Sequence, residues 1–267
     1  MNTSTSPCAI ITGAASGIGL ATAQQLARLG WRLGLFDIQG DAVRALAASL
    51  SPGQALHLGQ TLDVTDPQAW SQAMDAFMAH TGGRLDLLIN NAGIAVADAL
   101  VDTPLPRLHR MVNVNVLGVI NGCHTAWPHL KRQPGSRVIN LCSASALFGQ
   151  PQLAAYSATK AAIKSLTEAL DTEWAVAGVR VVDVLPLFVD TAMVRDEVAK
   201  MGTVKALGVR LTASDVARVL VKLATAPSRS LRLHTPVGWQ TAVLDLACRL
   251  SPAWVNQRVT RWLAGLG

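Results

Sequence analysis

The chain has 267 residues, half of them hydrophobic and only 15% charged, which suits one large α/β domain and excludes a disordered chain. Its net charge of +6 is uneven: residues 1–199 hold 13 basic and 15 acidic side chains, residues 200–267 hold 10 and 2. The basic quarter reads first as a solvated face and second as an attraction to an acidic partner or an anionic membrane; its dispersal, without interleaved aromatics, argues against nucleic acid.

Cys8, Cys123, Cys142 and Cys248 form no CxxC pair and no cluster at metal spacing, so neither a disulfide framework nor a metal site is expected. The first residues lack a charged segment followed by an apolar run, and no apolar stretch reaches the ~18 residues of a membrane span. A cytoplasmic location is the expectation.

Along the chain, short apolar runs alternate with longer helical patterns. Residues 8–12 (CAIIT) read as a buried strand before a glycine-rich turn, and 17–29 as a helix. Residues 31–36 are a second strand, 41–50 a helix and 57–64 a weaker third strand. Asp66 and Pro67 suit the N-cap and first position of the next helix. Residues 85–90 are a fourth strand, 105–130 a long helix, 137–141 a fifth strand, 153–177 another long helix and 179–185 a sixth strand. This alternation predicts parallel strands joined by right-handed helical crossovers, with helices on both faces. Residues 191–210 read as a mobile excursion and 213–226 as a helix capped by Thr212 or Ser214. A last short strand is predicted at 231–233, and apolar-rich helices at 237–250 and 254–263. No linker or internal repeat divides the chain. The expected organisation is one domain over 1–235, including a lid at 191–210, with a helical extension over 236–267.

Three motifs carry chemistry. Thr12-Gly13-Ala14-Ala15-Ser16-Gly17-Ile18-Gly19 follows a strand and opens a helix. There, glycines let backbone amides approach a pyrophosphate and the helix N-terminus supplies positive dipole. Three glycines alone are equally an ordinary tight turn; the strand-to-helix position favours cofactor binding. Asp37 ends the second strand. An acidic side chain there accepts hydrogen bonds from the adenosine ribose and repels the 2′-phosphate of NADP, and neither Ser16 nor Ile38 is basic, so NAD is favoured. Tyr156 and Lys160 stand four apart on a helix and share a face. An ammonium beside a phenol favours the phenolate, which can take a proton from an alcohol; the phenol can return it. Tyr-x-x-x-Lys pairs are mostly structural, but Tyr156 is the sole tyrosine, and Ala154, Ala155, Ser157 and Ala158 around it leave room for a ligand.

Taken in order, TGAASGIG at 12–19, Asp37, Asp63-Val64, Asn90-Asn91-Ala92-Gly93, Asn115, Ser143 thirteen residues before the tyrosine, and YSATK at 156–160 resemble the short-chain dehydrogenase/reductase family over residues 8–193. The resemblance implies a doubly wound parallel sheet, a Rossmann fold, usually seven-stranded. It implies that Ser143 hydrogen-bonds the substrate oxygen, in preference to Ser145. Lys160 would hold the nicotinamide ribose and tune Tyr156. Asn115, in preference to Asn113, would kink its helix and hold a water in a relay to Lys160. Asp63 and Val64 would flank the adenine, and Asn91, Ala92 and Gly93 would line the cofactor channel. Pro186, Val189 and Thr191 match positions that contact the nicotinamide. The family also implies a homo-oligomer, usually a tetramer.

Two departures bear on the substrate. Pro186-Leu187-Phe188 replaces the family's Pro-Gly and adds apolar bulk beside the nicotinamide. The glycine- and aspartate-containing end of the last strand is replaced by His234-Thr235-Pro236-Val237-Gly238-Trp239 and two apolar helices, which look more like members acting on lipid-like molecules. The expectation is an NAD(H)-dependent oxidoreductase for a secondary alcohol or ketone of apolar character. Rivals are an NADPH-dependent ketone or 3-oxoacyl reductase and a non-catalytic NAD-sensing protein. The tail serves a hydrophobic pocket or a subunit contact about equally well, and a membrane surface is the least favoured of the three.

Overall fold

A computed structural model of the protein describes residues 6–51, 53–199 and 201–265; the polar start, residues 1–5, lies outside them. Strands β1 (Cys8–Thr12), β2 (Arg32–Asp37) and β3 (Leu58–Thr61) alternate with helices α1 (Gly17–Arg28), α2 (Gly40–Leu50) and α3 (Pro67–Thr81). Then come β4 (Leu87–Asn90), α4 (Leu105–Val112), α5 (Gly118–Leu130), β5 (Arg137–Leu141), α6 (Ala154–Trp174) and β6 (Arg180–Pro186). The last part holds β7 (Val189–Asp190), α7 (Gly202–Leu207), β8 (Leu211–Thr212), α8 (Ala213–Thr225), β9 (His234–Val237), α9 (Trp239–Leu250) and α10 (Ala253–Leu263).

Seven strands form one parallel sheet in the order β3-β2-β1-β4-β5-β6-β9. The five inner strands bury both faces, the edge strands β3 and β9 are only partly covered, and alternation sorts the side chains between two cores. Ala9, Ile11, Leu33, Leu35, Ile89 and Val182 point to a layer closed by α1, α2 and α8, where Leu26, Val43 and Leu220 meet them. Ile10, Phe36, Leu88, Val138 and Val181 point the other way, to Trp70 and Phe77 of α3, Cys123 of α5 and Ile163 of α6. Each fully buried Leu, Ile or Phe contributes about 1.5–3 kcal/mol, so the doubly covered sheet is the rigid part of the molecule. The chain builds outward from β1 through β2 and β3, then crosses to β4 on the other side. The strand order therefore reverses between β1 and β4, and the carboxyl ends of these strands open a crevice there.

Local chemistry sets the element ends. Asp66 caps α3 by accepting from the Gln68 amide, with Pro67 first in the helix. Thr212, and not Ser214, caps α8, in a box with Asp215. The single long helix expected at 105–130 is divided: α4 and α5 are joined by a π-turn at Asn113–Leu117. The last strand is displaced from 231–233 to His234–Val237, where it pairs with Asp183–Pro186 of β6. The segment expected as a mobile excursion is built around a core of its own. Val198, Met201 and Val204 are buried with Phe188, Leu153, Ala95 and Ala97, and the short β7–β8 pair ties its two ends together.

Candidate active site

The glycine turn is cross-tied before anything binds to it. Asn91 donates from Nδ2 to the carbonyls of Thr12 (2.9 Å) and Gly13 (3.0 Å). The Thr12 hydroxyl accepts from the amides of Asn91 (3.1 Å) and Ala92 (3.0 Å). Gly13 and Gly17 hold left-handed φ values of 65° and 53°, which other residues rarely adopt. A Cβ on Gly19 would lie 2.1 Å from the Gly13 carbonyl oxygen, so this glycine serves close packing. Ser16 makes no side-chain cap hydrogen bond, and the first-turn amides of α1 have no partner within the helix. This cradle fits a pyrophosphate. Asp37 ends β2 beside it, with Oδ2 accepting from the Ala15 amide (3.1 Å) and Oδ1 from the Gln39 amide (3.0 Å).

The floor continues across the crevice. The Val64 carbonyl accepts from Trp70 Nε1 and Asn121 Nδ2, both at 3.1 Å, and Asp63 holds Thr65 through its amide and hydroxyl. Asn115 lies in the π-turn. Its Oδ1 accepts from the Ile94 amide and its Nδ2 donates to the Ile94 carbonyl, both at 2.9 Å, and to Thr159 Oγ1 at 3.2 Å. The extra residue in the turn thus swings one buried amide side chain onto the strand-end loop. Behind Gly93, Asn115 Oδ1 and Lys160 Nζ converge: a Cβ there would stand 3.2 Å from the first and 3.8 Å from the second.

At the far end, α6 carries Tyr156 and Lys160. Lys160 Nζ donates to the Leu141 carbonyl at 2.8 Å and stands 5.6 Å from the centre of the Tyr156 ring. Ser143 Oγ accepts from the Ser145 amide at 3.1 Å. Burial pushes the Tyr156 phenol well above its ordinary value, against the opposing hydrogen bond of Ser143. Here desolvation dominates the phenol, and the Lys160 ammonium donates to the Leu141 carbonyl. Burial also holds Lys160 below the usual lysine range, and pushes the Cys142 thiol up to about 12, so that thiol stays neutral.

One cleft of about 510 Å³ joins these parts. Gly13, Ser16, Gly17, Ile18, Asp37, Asp63, Val64, Asn91, Ala92, Gly93, Ser143, Tyr156, Lys160, Pro186, Val189 and Thr191 all line it. Gly19 and Asn115 stand behind its wall. Of the two bulky residues after Pro186, Leu187 lines the cleft, whereas Phe188 turns into the core under the lid. Sequence reasoning missed the Thr12 latch, the Leu141 carbonyl, and Arg110, which lines the cleft and, with Ile38 and Asp63, the pocket beside it. Thr12 was signalled only by standing first in the glycine motif; the other two depend on chain segments brought together by folding. Among the described residues no group of His, Cys, Asp and Glu could hold a metal.

The fold and cleft define a nucleotide-binding protein of the doubly wound class. The short chain dehydrogenase family model matches residues 7–202, and the chain belongs to that family of oxidoreductases, which bind a nicotinamide cofactor. It is 34% identical over 194 residues to D-beta-hydroxybutyrate dehydrogenase of Rhizobium meliloti, covering 71% of this chain and 74% of the relative. It is also 34% identical to meso-2,3-butanediol dehydrogenase of Serratia marcescens over 223 residues, 81% of this chain and 86% of that one. A short chain dehydrogenase/reductase from Burkholderia phymatum, solved in complex with NAD, superposes with a TM-score of 0.80 at 26% identity, covering 97% of both chains.

Proposed function

We propose that the protein is an NAD(H)-dependent dehydrogenase/reductase for a secondary alcohol or ketone of apolar character. The observation that carries this reading is that Ser143, Tyr156 and Lys160 share one end of a cleft whose other end holds Asp37 beside the glycine cradle. When bound, the nicotinamide gives or takes the hydride at the carbinol or carbonyl carbon. The chain's own residues do the rest.

The amides of the Gly13–Gly19 turn hold the pyrophosphate, Asp37 the adenosine ribose, and Asp63 and Val64 the adenine. Asn91, Ala92 and Gly93 form one wall of the channel, and Pro186, Val189 and Thr191 the other. Ser143 donates to the substrate oxygen and orients it. In oxidation Tyr156 as phenolate takes the hydroxyl proton; in reduction its phenol returns a proton to the carbonyl oxygen. Lys160 holds the nicotinamide ribose and bears positive charge beside Tyr156, and Asn115 fixes the loop that shapes this wall. Leu187 and Met193 in the cleft support apolar substrates, because each buried methylene contributes about 0.8 kcal/mol.

Arg110 favours a second reading, NADP, since a guanidinium lining the cleft can pair with a 2′-phosphate. Asp37 argues against it by direct repulsion. Initial rates with NAD and with NADP, across secondary alcohols of increasing apolar size, test the proposal. Higher kcat/KM with NAD, rising with substrate size, supports it. Equal or better rates with NADP refute the cofactor assignment, and rates that are flat or fall with size refute the apolar pocket.

A further inference from the structure

Helix α9 has its apolar stripe on the wrong side for a core. Trp239, Val243, Leu246 and Leu250 recur at the three- and four-residue spacing that normally faces inward, yet they are 67%, 59%, 59% and 76% exposed. Only Thr241 of this helix is buried. Helix α10 also carries exposed aromatics: Trp254 and Trp262, eight residues apart and so within one helical stripe, are mostly exposed. Exposed Arg258 and Arg261 lie between them in sequence.

The charge around this stripe is mostly basic. Arg249, Arg258 and Arg261 are exposed, and the Arg210 guanidinium lies 6.0 Å from the centre of the Trp239 ring. The one acidic residue of α9 and α10, Asp245, is largely buried against Arg249 at 2.9 Å. A second copy of the chain meeting this face would bring one net positive surface against another. An anionic bilayer does the reverse. It takes the apolar stripe into the acyl boundary, tryptophans at headgroup depth and arginines against lipid phosphates. No helix of the described residues is long and apolar enough to cross a membrane, so the contact is with its surface.

We propose that α9 and α10 dock the protein on an anionic lipid bilayer. The tail is also tied to the lid. Gly202, first in α7, lies so close to the Ala264 carbonyl that a Cβ would come within 2.6 Å, and Gln240 Nε2 donates to the Leu207 carbonyl at 3.2 Å. Both tail helices thus hold α7, which roofs the apolar cluster beside Tyr156, and docking brings that roof to the lipid boundary. The docking itself does not depend on the catalytic reading.

The test is co-sedimentation of the full chain with vesicles of phosphatidylcholine alone and of phosphatidylcholine mixed with phosphatidylglycerol. Binding to the mixed vesicles, weakened by salt and accompanied by a blue shift of tryptophan fluorescence, is expected. A basic side chain near such a surface contributes about 1 kcal/mol, so R249Q/R258Q/R261Q should lower the partition coefficient on the order of a hundredfold. Trp254→Ala/Trp262→Ala should also release the protein, with circular dichroism and light-scattering mass unchanged in both variants. Failure of the wild type to bind, equal binding to both vesicle types, or loss of an oligomer in these variants overturns the proposal; the last would assign the face to a second copy.

Discussion

Asp37 and Tyr156 carry the proposed chemistry at opposite ends of the cleft, and each can be tested alone. Asp37→Ala removes two acceptors from the ribose and the repulsion of a 2′-phosphate. The ratio of kcat/KM for NAD over NADP should fall by about tenfold or more; an unchanged ratio would show that Asp37 does not set the preference. At Tyr156 burial raises the phenol, so phenolate is scarce at neutral pH. Alcohol oxidation needs the phenolate, and its kcat/KM should climb as pH rises into the alkaline range. Ketone reduction uses the phenol and should hold at neutral pH, falling only as the raised value is approached. Tyr156→Phe should lose about 10²–10⁴-fold in turnover while keeping cofactor affinity. An oxidation profile flat with pH, or a phenylalanine variant near wild-type turnover, would contradict this role.

The β6–β9 pairing rests on a buried polar link as well as on its ladder. Asp183 is fully buried on β6 and meets His234 Nδ1 on β9 at 2.9 Å. His234 Nε2 reaches Glu168 of α6 at 3.0 Å, and Glu168 pairs with Lys164. Burial raises the Asp183 carboxyl, and His234 opposes that rise. His234→Leu should therefore cost about 1–3 kcal/mol by leaving a buried carboxyl without its hydrogen-bond partner. A raised carboxyl binds its proton more tightly folded than unfolded, so its contribution is lost as pH climbs through the raised value. The urea midpoint of the variant should fall more steeply than that of the wild type between weakly acid and alkaline pH; parallel curves would contradict the link. This element also marks what the sequence could show. The glycine turn, Asp37 and the Tyr156–Lys160 pair were legible because their spacing is local and strand-to-helix context surrounds them. The last strand was misplaced by three residues because its position is fixed by β6, where Asp183 faces His234, and Pro236 weakens its own strand signal. The helical period runs through the π-turn without a sign of it, and only the family resemblance, through Asn115, implied a kink there; what distorts the helix is the tie from Asn115 to Ile94, 21 residues away. Phe188 was expected beside the nicotinamide, but its partners Ala95, Ala97 and Leu153 come from distant segments.

The described residues present a second exposed apolar face besides that of the tail. On α4, the π-turn and α5, Val112, Leu117 and Ile120 remain exposed, beside the exposed Arg107 and Arg110 of α4. This face is proposed to meet a second copy, most simply within a tetramer. Light scattering at micromolar concentration should give a multiple of the 28.1 kDa chain mass; a mass near that of one chain would contradict it. In the proposed function the sheet, the glycine cradle and the α6 pair serve one reaction, transfer of hydride between substrate carbon and nicotinamide. The most direct measurement uses a secondary alcohol deuterated at the carbinol carbon, with NAD in ordinary water and mass analysis of the reduced cofactor. The account predicts one deuterium carried to the nicotinamide ring by the wild-type enzyme, with transfer nearly abolished in Tyr156→Phe. Reduced cofactor that lacks the label, or no cofactor reduction with any apolar secondary alcohol tried, would contradict it.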